Sequence, residues 1–216
     1  MANKSIVITR PNHENTVAYL HSWASGIIEL ARNKDFDIVD LEGEKANRKS
    51  FDSVIKNKNC QIVLFNGHGS PDTIFGQNNE IIVQTDVNDG LLKGRIVYSL
   101  SCDSAAVLGH SSVDKGSKAF IGYNKPFCFI KDKNSSTIPL HDKFAKPFME
   151  SSNKISADLI RGKTAMEAFD KSQAEFERWI EYYLTSTEPG APDILRWLIW
   201  DKLAQELIGD REAQII

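Results

Sequence analysis

Short apolar runs alternate with segments of helical periodicity over the first 130 residues of the chain. Four runs predict buried strands, namely Ser5–Thr9, Phe36–Leu41, Gln61–Phe65 and Gly94–Leu100. Thr16–Asn33 and Ser50–Lys58 carry apolar residues on one helical face and predict helices, the second with Ser50 as its N-cap. Strands that alternate with helices in this way predict a mostly parallel sheet of about six strands, covered on both faces.

Shorter apolar segments extend this pattern. Ile81–Val83 predicts an edge strand, and Lys118–Tyr123 and Phe127–Ile130 predict two more strands. Ala105–Gly109 has the small and apolar residues of a short helix. The fold class predicted from these elements is α/β, with helices on both sides of the sheet.

The pattern changes after residue 130. Lys131–Pro139 predicts a polar loop, and the rest of the chain has helical periodicity. A break at Gly190–Pro192 separates two helices, of which the second is predicted over Asp193–Ile208. We therefore expect a core at 1–130 and a helical C-terminal portion at 131–216 that packs on the core or regulates it. The two parts could also form one domain, 1–216.

Composition and charge exclude several classes of protein. The chain has 216 residues, 41% of them hydrophobic and 25% charged, and a net charge of −3. This balance gives no basic face for nucleic acid and no polybasic patch for a membrane. No apolar stretch is long enough for a membrane span, and Met1–Arg10 lacks the apolar core of a signal peptide. We expect a cytoplasmic protein that partners neither nucleic acid nor membrane.

Three cysteines, at positions 60, 102 and 128, are too few and too irregularly spaced for a disulfide framework. No Cys-x-x-Cys or His-x-x-x-His spacing supports a metal site, and no cofactor motif is present. The settings of Cys60 and Cys128 are typical of packing residues. Cys102 is the cysteine whose setting indicates reactivity.

His68 and Cys102 each follow a predicted buried strand. Functional groups gather at the carboxyl ends of strands in open α/β sheets, so neighbouring strands would bring both side chains to one edge. Gly67 and Gly69 flank the histidine, and small residues surround the cysteine. A helix starting after Cys102 would favour its thiolate. Each residue taken alone could be structural, a loop histidine or a buried thiol; together they indicate catalysis.

This pair predicts acyl-transfer chemistry. Cys102 would attack a peptide carbonyl, and His68 would stabilise the thiolate and protonate the leaving amine. The backbone amides of Gly69 and Cys102 would form the oxyanion hole.

Two blocks of sequence resemble those of the caspase-like cysteine peptidases, clan CD. They are Ile62-Val-Leu-Phe-Asn-Gly-His68-Gly69 and Ile96-Val-Tyr-Ser-Leu-Ser-Cys102. Gly116–Tyr123 is similar to the strand that follows the nucleophile in bacterial CHAT and gingipain-type members. The resemblance covers roughly residues 5–130 and implies a caspase-like three-layer sandwich and a His/Cys dyad acting on protein substrates. The caspase Gln-Ala-Cys-x-Gly signature is absent, and 34 residues separate His68 from Cys102 where caspases have about 50.

The sequence defines the substrate pocket less sharply. Arg10 ends the first strand and would suit an acidic substrate side chain, whereas Asp103 and Asp132 would suit a basic one. Two acidic candidates against one basic candidate favour a basic substrate, although each could be a solvated surface charge.

Three other functions stay open at this stage. A caspase-like pseudoenzyme would use the same fold as a protein-interaction module. A different thiol enzyme, such as an amidase, would use the same two side chains. A nucleotide-binding domain is disfavoured, because no Gly-rich phosphate loop follows the first strand. In a protease, the C-terminal helices could bind a regulatory protein partner.

Overall fold

Six strands form the central sheet of the protein. The computed structural model of the chain describes residues 4–132 and 137–215. The strands are, in spatial order, β2 (Asp37–Glu42), β1 (Ser5–Arg10), β3 (Ile62–Asn66), β7 (Ile96–Leu100), β8 (Ala119–Tyr123) and β9 (Gln205–Gly209). All neighbours are parallel except β9, which pairs antiparallel with β8. The predicted mostly parallel sheet is confirmed.

Successive side chains of each strand point to opposite faces of the sheet, so the sheet lies as the middle of three layers. On β3, Ile62 and Leu64 face one hydrophobic cluster, and Val63 and Phe65 face the other. The first face is covered by α1 (Asn15–Trp23), α2 (Ser25–Arg32), α5 (Lys146–Ile160), α6 (Ala165–Thr185) and α7 (Ala191–Ala204). The second is covered by α3 (Arg48–Asn57), α4 (His110–Asp114) and a small antiparallel sheet of β4 (Gly69–Ser70), β5 (Thr73–Phe75) and β6 (Ile81–Gln84).

Several predicted elements differ in detail. The helix predicted over Thr16–Asn33 divides into α1 and α2 at Ala24, next to the Ser25–Gly26 pair that favours a kink. The N-cap of α3 is Asn47 instead of Ser50, because the Asn47 side chain accepts the Ser50 N–H at 2.8 Å. Ile81–Val83 lies in the small sheet.

The C-terminal portion departs further from its predicted pattern. The break at Gly190–Pro192 is confirmed, with Gly190 in the left-handed region at φ 84° just before α7. The helix predicted over Asp193–Ile208 is wrong in its last turn, since α7 ends at Ala204 and the chain continues as β9. The Gln, Glu and Leu residues of β9 favour a helix locally, but pairing with β8 overrides that preference.

Phe127–Ile130 forms no strand, and runs past the end of β8 as irregular chain. Of the polar loop predicted over Lys131–Pro139, residues 133–136 lie outside the described residues. Helices α5, α6 and α7 share one hydrophobic cluster with the sheet strands, so the C-terminal portion packs on the sheet. A regulatory role for this portion stays a prediction.

Within residues 4–132 and 137–215, no helix has the length and apolarity needed to cross a membrane. In the same part of the chain, no three His, Cys, Asp or Glu side chains come together as metal ligands.

Candidate active site

The register of two neighbouring strands sets the relation between His68 and Cys102. β3 and β7 pair in parallel from Ile62↔Ile96 to Asn66↔Leu100. His68 and Cys102 each lie two residues beyond these strand ends. They are 34 residues apart in the sequence, as are the two residues of every β3–β7 pair. The Gly67 N–H donates to the Leu100 carbonyl at 3.3 Å, which continues the pairing past the strands. The two chain segments therefore leave the sheet side by side.

Gly69 brings these segments into direct contact. A Cβ placed on Gly69 would collide with the Cys102 carbonyl oxygen and lie 3.0 Å from the Ser101 side chain. Only glycine allows so close an approach of two backbones. The glycine after the histidine is thus required by packing against the Cys102 turn.

The imidazole of His68 has a carboxylate partner that the sequence analysis missed. His68 Nε2 lies 2.7 Å from Glu14 Oε1, and the His68 side chain is about one-third exposed. A carboxylate can only accept, so Nε2 is the protonated nitrogen in this contact. This leaves Nδ1 as the nitrogen that can exchange a proton with another group. The ring of His13 lies edge-on to His68, with ring centroids 6.2 Å apart.

The thiol of Cys102 is partly buried and held near the next segment of chain. Its Sγ donates to the Phe127 carbonyl at 3.8 Å. Burial raises the pKa of the Cys102 thiol above its ordinary value, and the nearby carboxylate of Asp103 acts in the same direction. The helix after Cys102 was expected to stabilise the thiolate, but burial has the larger effect on the pKa. The thiol is therefore protonated at neutral pH.

Two backbone amides are placed as potential donors. The Phe75 N–H bonds the His68 carbonyl at 3.0 Å, which makes Gly69↔Ile74 a non-hydrogen-bonded pair of the β4–β5 ladder. The Gly69 N–H therefore points away from β5. Among the described residues, no carbonyl or side-chain oxygen accepts the Cys102 N–H. Both amides are available to bind an oxyanion.

Helix α7 fixes the segment 124–128 beside this turn. Three bonds hold it: the Asn124 N–H to the Ala204 carbonyl (2.8 Å), the Trp200 indole to the Pro126 carbonyl (2.8 Å) and the Cys128 N–H to Asp201 Oδ1 (2.9 Å). The segment in turn holds the cysteine turn, since the Lys125 carbonyl accepts the Asp103 N–H at 3.2 Å. The C-terminal portion thus holds in place the turn that carries the candidate nucleophile, Cys102.

The three residues predicted for substrate recognition lie in different settings. Arg10 is buried and engaged by Asp40 through two bonds of 2.9 and 2.5 Å, with Glu42 3.3 Å away. Its charge is balanced within the fold. The Asp132 N–H bonds the Asp142 carboxylate at 2.9 Å. Asp103 follows Cys102 directly in a left-handed conformation, and burial raises the pKa of its carboxyl. These residues do not converge on one pocket, and their roles stay predictions.

Two supporting residues were absent from the sequence interpretation, although a signal existed for each. Glu14 follows β1, whose carboxyl end meets the same sheet edge as that of β3. Asp201 falls on the stripe of α7 that also buries Ile194 and Leu198. A carboxylate at a core position of an apolar helix signals a buried polar contact.

Two solved structures are similar in fold over nearly the whole chain. The Arg-specific cysteine proteinase gingipain R matches 98% of this chain and 47% of its own, with a TM-score of 0.59 and 13% sequence identity. The chain has a caspase-like fold. The complex of the pro- and mature domains of RgpB from Porphyromonas gingivalis matches equally well, at a TM-score of 0.59 and 11% identity over 98% of this chain and 48% of that one.

The chain spans about half the length of these proteins. No protein-family model matches its sequence, and no curated protein does. At this level of identity the likeness concerns the fold, and the predicted three-layer caspase-like sandwich is confirmed. Membership of the CHAT group stays a prediction.

Proposed function

We propose that the protein is a cysteine endopeptidase that cleaves protein substrates with His68 and Cys102. The register of β3 and β7 is the observation that carries this proposal, since it places an imidazole and a thiol at matching positions beyond neighbouring strand ends. The contact between Gly69 and the Cys102 carbonyl supports it. The caspase-like fold, shared with cysteine proteinases, agrees with this chemistry.

The mechanism begins from a protonated thiol. His68 Nδ1 takes the thiol proton as Cys102 Sγ attacks the peptide carbonyl, while Glu14 bonds the protonated Nε2 and stabilises the imidazolium. The carbonyl oxygen becomes an oxyanion that the N–H groups of Gly69 and Cys102 bind. His68 then gives its proton to the amine nitrogen, the peptide C–N bond breaks, and a thioester forms. Water activated by His68 hydrolyses the thioester and restores the thiol.

The raised pKa of Cys102 also favours a second candidate. A caspase-like pseudoenzyme would keep the fold as an interaction module and leave the thiol unreactive. In either case we place the protein in the cytoplasm, where its three free cysteines would stay reduced.

A thiol-reactive peptide probe separates the two candidates. We expect covalent labelling at Cys102, identified by mass spectrometry of the modified peptide. Labelling should vanish in Cys102→Ala and fall sharply in His68→Ala, because the imidazole removes the thiol proton. Cys60→Ala is the control, since Cys60 is a fully buried thiol that packs on the opposite face of the sheet.

Unchanged labelling in Cys60→Ala, together with cleavage of a peptide library by the parent protein, would support the endopeptidase. A parent protein that is folded but never labelled at Cys102 would support the pseudoenzyme. Turnover of small amides without cleavage of peptides would indicate an amidase.

A further inference from the structure

A cavity of about 310 Å³ lies beside the candidate dyad. Its walls are formed by Thr16, Phe127, Cys128, Phe129, Lys131 and Trp197. Thr16 is two residues after Glu14, the partner of His68. On the other side, the Phe127 carbonyl is 3.8 Å from Cys102 Sγ. The cavity therefore touches the segments that support both reacting groups, which is where a substrate side chain next to the scissile bond would enter.

The walls of the cavity are aromatic and carry one charge. Lys131 is the single ionisable cation among the lining residues. Its Nζ lies 5.5 Å from the ring centroids of both Tyr19 and Phe129 and bonds Thr16 Oγ1 at 3.3 Å. Both ring distances are within cation–π range. The ammonium group is thus held in a fixed place at the cavity wall.

No carboxylate of the described residues lies within 4.0 Å of Lys131 Nζ. The acids in this region are occupied elsewhere. Glu14 bonds His68, and Asp201 is fully buried and accepts the Cys128 N–H. The Asp142 carboxylate accepts the Tyr19 O–H and three backbone N–H groups. Asp103 does not line the cavity. Lys131 is consequently the one charged side chain of the cavity wall, and it forms no ion pair within the part of the chain that the structure describes.

We infer that this cavity receives an aspartate or glutamate side chain of the substrate, and that Lys131 is the residue that selects it. A substrate carboxylate would bind the Lys131 ammonium group through a charge-assisted hydrogen bond, and an arginine or lysine side chain would be repelled. The inference rests on the proposed function. It differs from the basic preference that Asp103 and Asp132 indicate in the sequence, and from gingipain R, which is described as Arg-specific.

Matched peptide acyloxymethyl ketones test this specificity. The probes differ only in the residue next to the reactive group, which is Asp, Glu, Asn or Lys. The measured quantity is the rate constant of labelling at Cys102. We expect the better acidic probe to exceed the Asn probe by on the order of tenfold, with the Lys probe slowest.

Variants of the cavity wall sharpen the test. Lys131→Met keeps the apolar stem and should remove the acidic preference, and Lys131→Glu should reverse it. Lys34→Glu makes the same charge change at an exposed position after α2 and should leave the order of probes intact.

A parent protein that prefers the Lys probe would overturn the inference and leave the endopeptidase standing. Retention of the acidic preference in Lys131→Glu would do the same. Absence of labelling by all four probes would instead remove the proposed function, and this inference with it.

Discussion

Asp201 accepts the backbone N–H of Cys128 at 2.9 Å and is fully buried. Its second oxygen, Oδ2, has no hydrogen-bond partner among the described residues. One carboxyl group of α7 thereby fixes the chain segment whose preceding carbonyl contacts the thiol of Cys102. The contact links the C-terminal helices to the turn of the candidate nucleophile. The sequence pattern predicts these as separate parts of the chain.

Asp201 predicts that stability depends on pH in a specific direction. Burial holds the pKa of the Asp201 carboxyl well above its usual range, so the folded protein keeps a proton that the unfolded chain loses. The folded state therefore binds more protons, and the free energy of unfolding should fall as pH rises above about 4. Asp201→Asn keeps an oxygen acceptor for Cys128 but cannot ionise. Urea unfolding at pH 5 and pH 8 should show a smaller loss of stability in this variant than in the parent.

Asp201→Ala is the comparison for this measurement. It leaves the Cys128 N–H without an acceptor, which costs about 1–3 kcal/mol when the group is buried. We expect this variant to be less stable than Asp201→Asn at both pH values. Identical pH dependence in the parent and Asp201→Asn would show that the carboxyl group is charged in the folded protein, contrary to our account.

Glu14 is predicted to support the chemical step without binding substrate. Glu14→Gln keeps an oxygen near His68 Nε2 but removes the negative charge. Since the pair is partly exposed, its electrostatic contribution is at most about 1 kcal/mol, and kcat should fall by up to about fivefold. KM should change little. Steady-state kinetics on the peptide that the parent cleaves best would measure both constants.

Glu29→Gln serves as the control, because Glu29 is exposed on α2 and should leave kcat unchanged. A kcat in Glu14→Gln equal to that of the parent would mean that His68 works without its carboxylate partner.

Gly69→Ala is predicted to disable the site through backbone geometry. The new Cβ would collide with the Cys102 carbonyl oxygen, so the two segments must separate and the Gly69 N–H must move. Loss of one oxyanion donor typically lowers the rate by about 100–1,000-fold. The measurement is kcat/KM, with circular dichroism and thermal unfolding to verify that the variant is folded.

Gly26→Ala makes the same chemical change where a Cβ meets nothing within 4 Å. It should fold and react like the parent. A folded Gly69→Ala variant with undiminished kcat/KM would contradict the role given to this glycine.

The sequence predicted the parts of the site that depend on strand ends. His68 and Cys102 follow short apolar runs, and apolar runs of this kind become buried parallel strands because both faces of the sheet are covered. The equal spacing of the two residues and the strand register could not be read from the sequence, since register is set by pairing across the sheet.

Features that depend on tertiary contacts could not be predicted from the sequence. β9 has the composition of a helical turn, and its pairing with β8 determines its conformation. The Cys102 turn was expected to favour a thiolate, but burial outweighs the helix terminus. Lys131 lies in a segment that the sequence predicts to be a polar loop. Its position on the cavity wall results from packing against Tyr19 and Phe129.

The dependence of the segment 124–128 on α7 bears on how the protein matures during synthesis. A ribosome delivers Cys102 long before it delivers Trp200 and Asp201, so a nascent chain carries the cysteine turn without its bracing helix. The three bonds from α7 can form only after translation has passed residue 204, so the cysteine turn gains this support last.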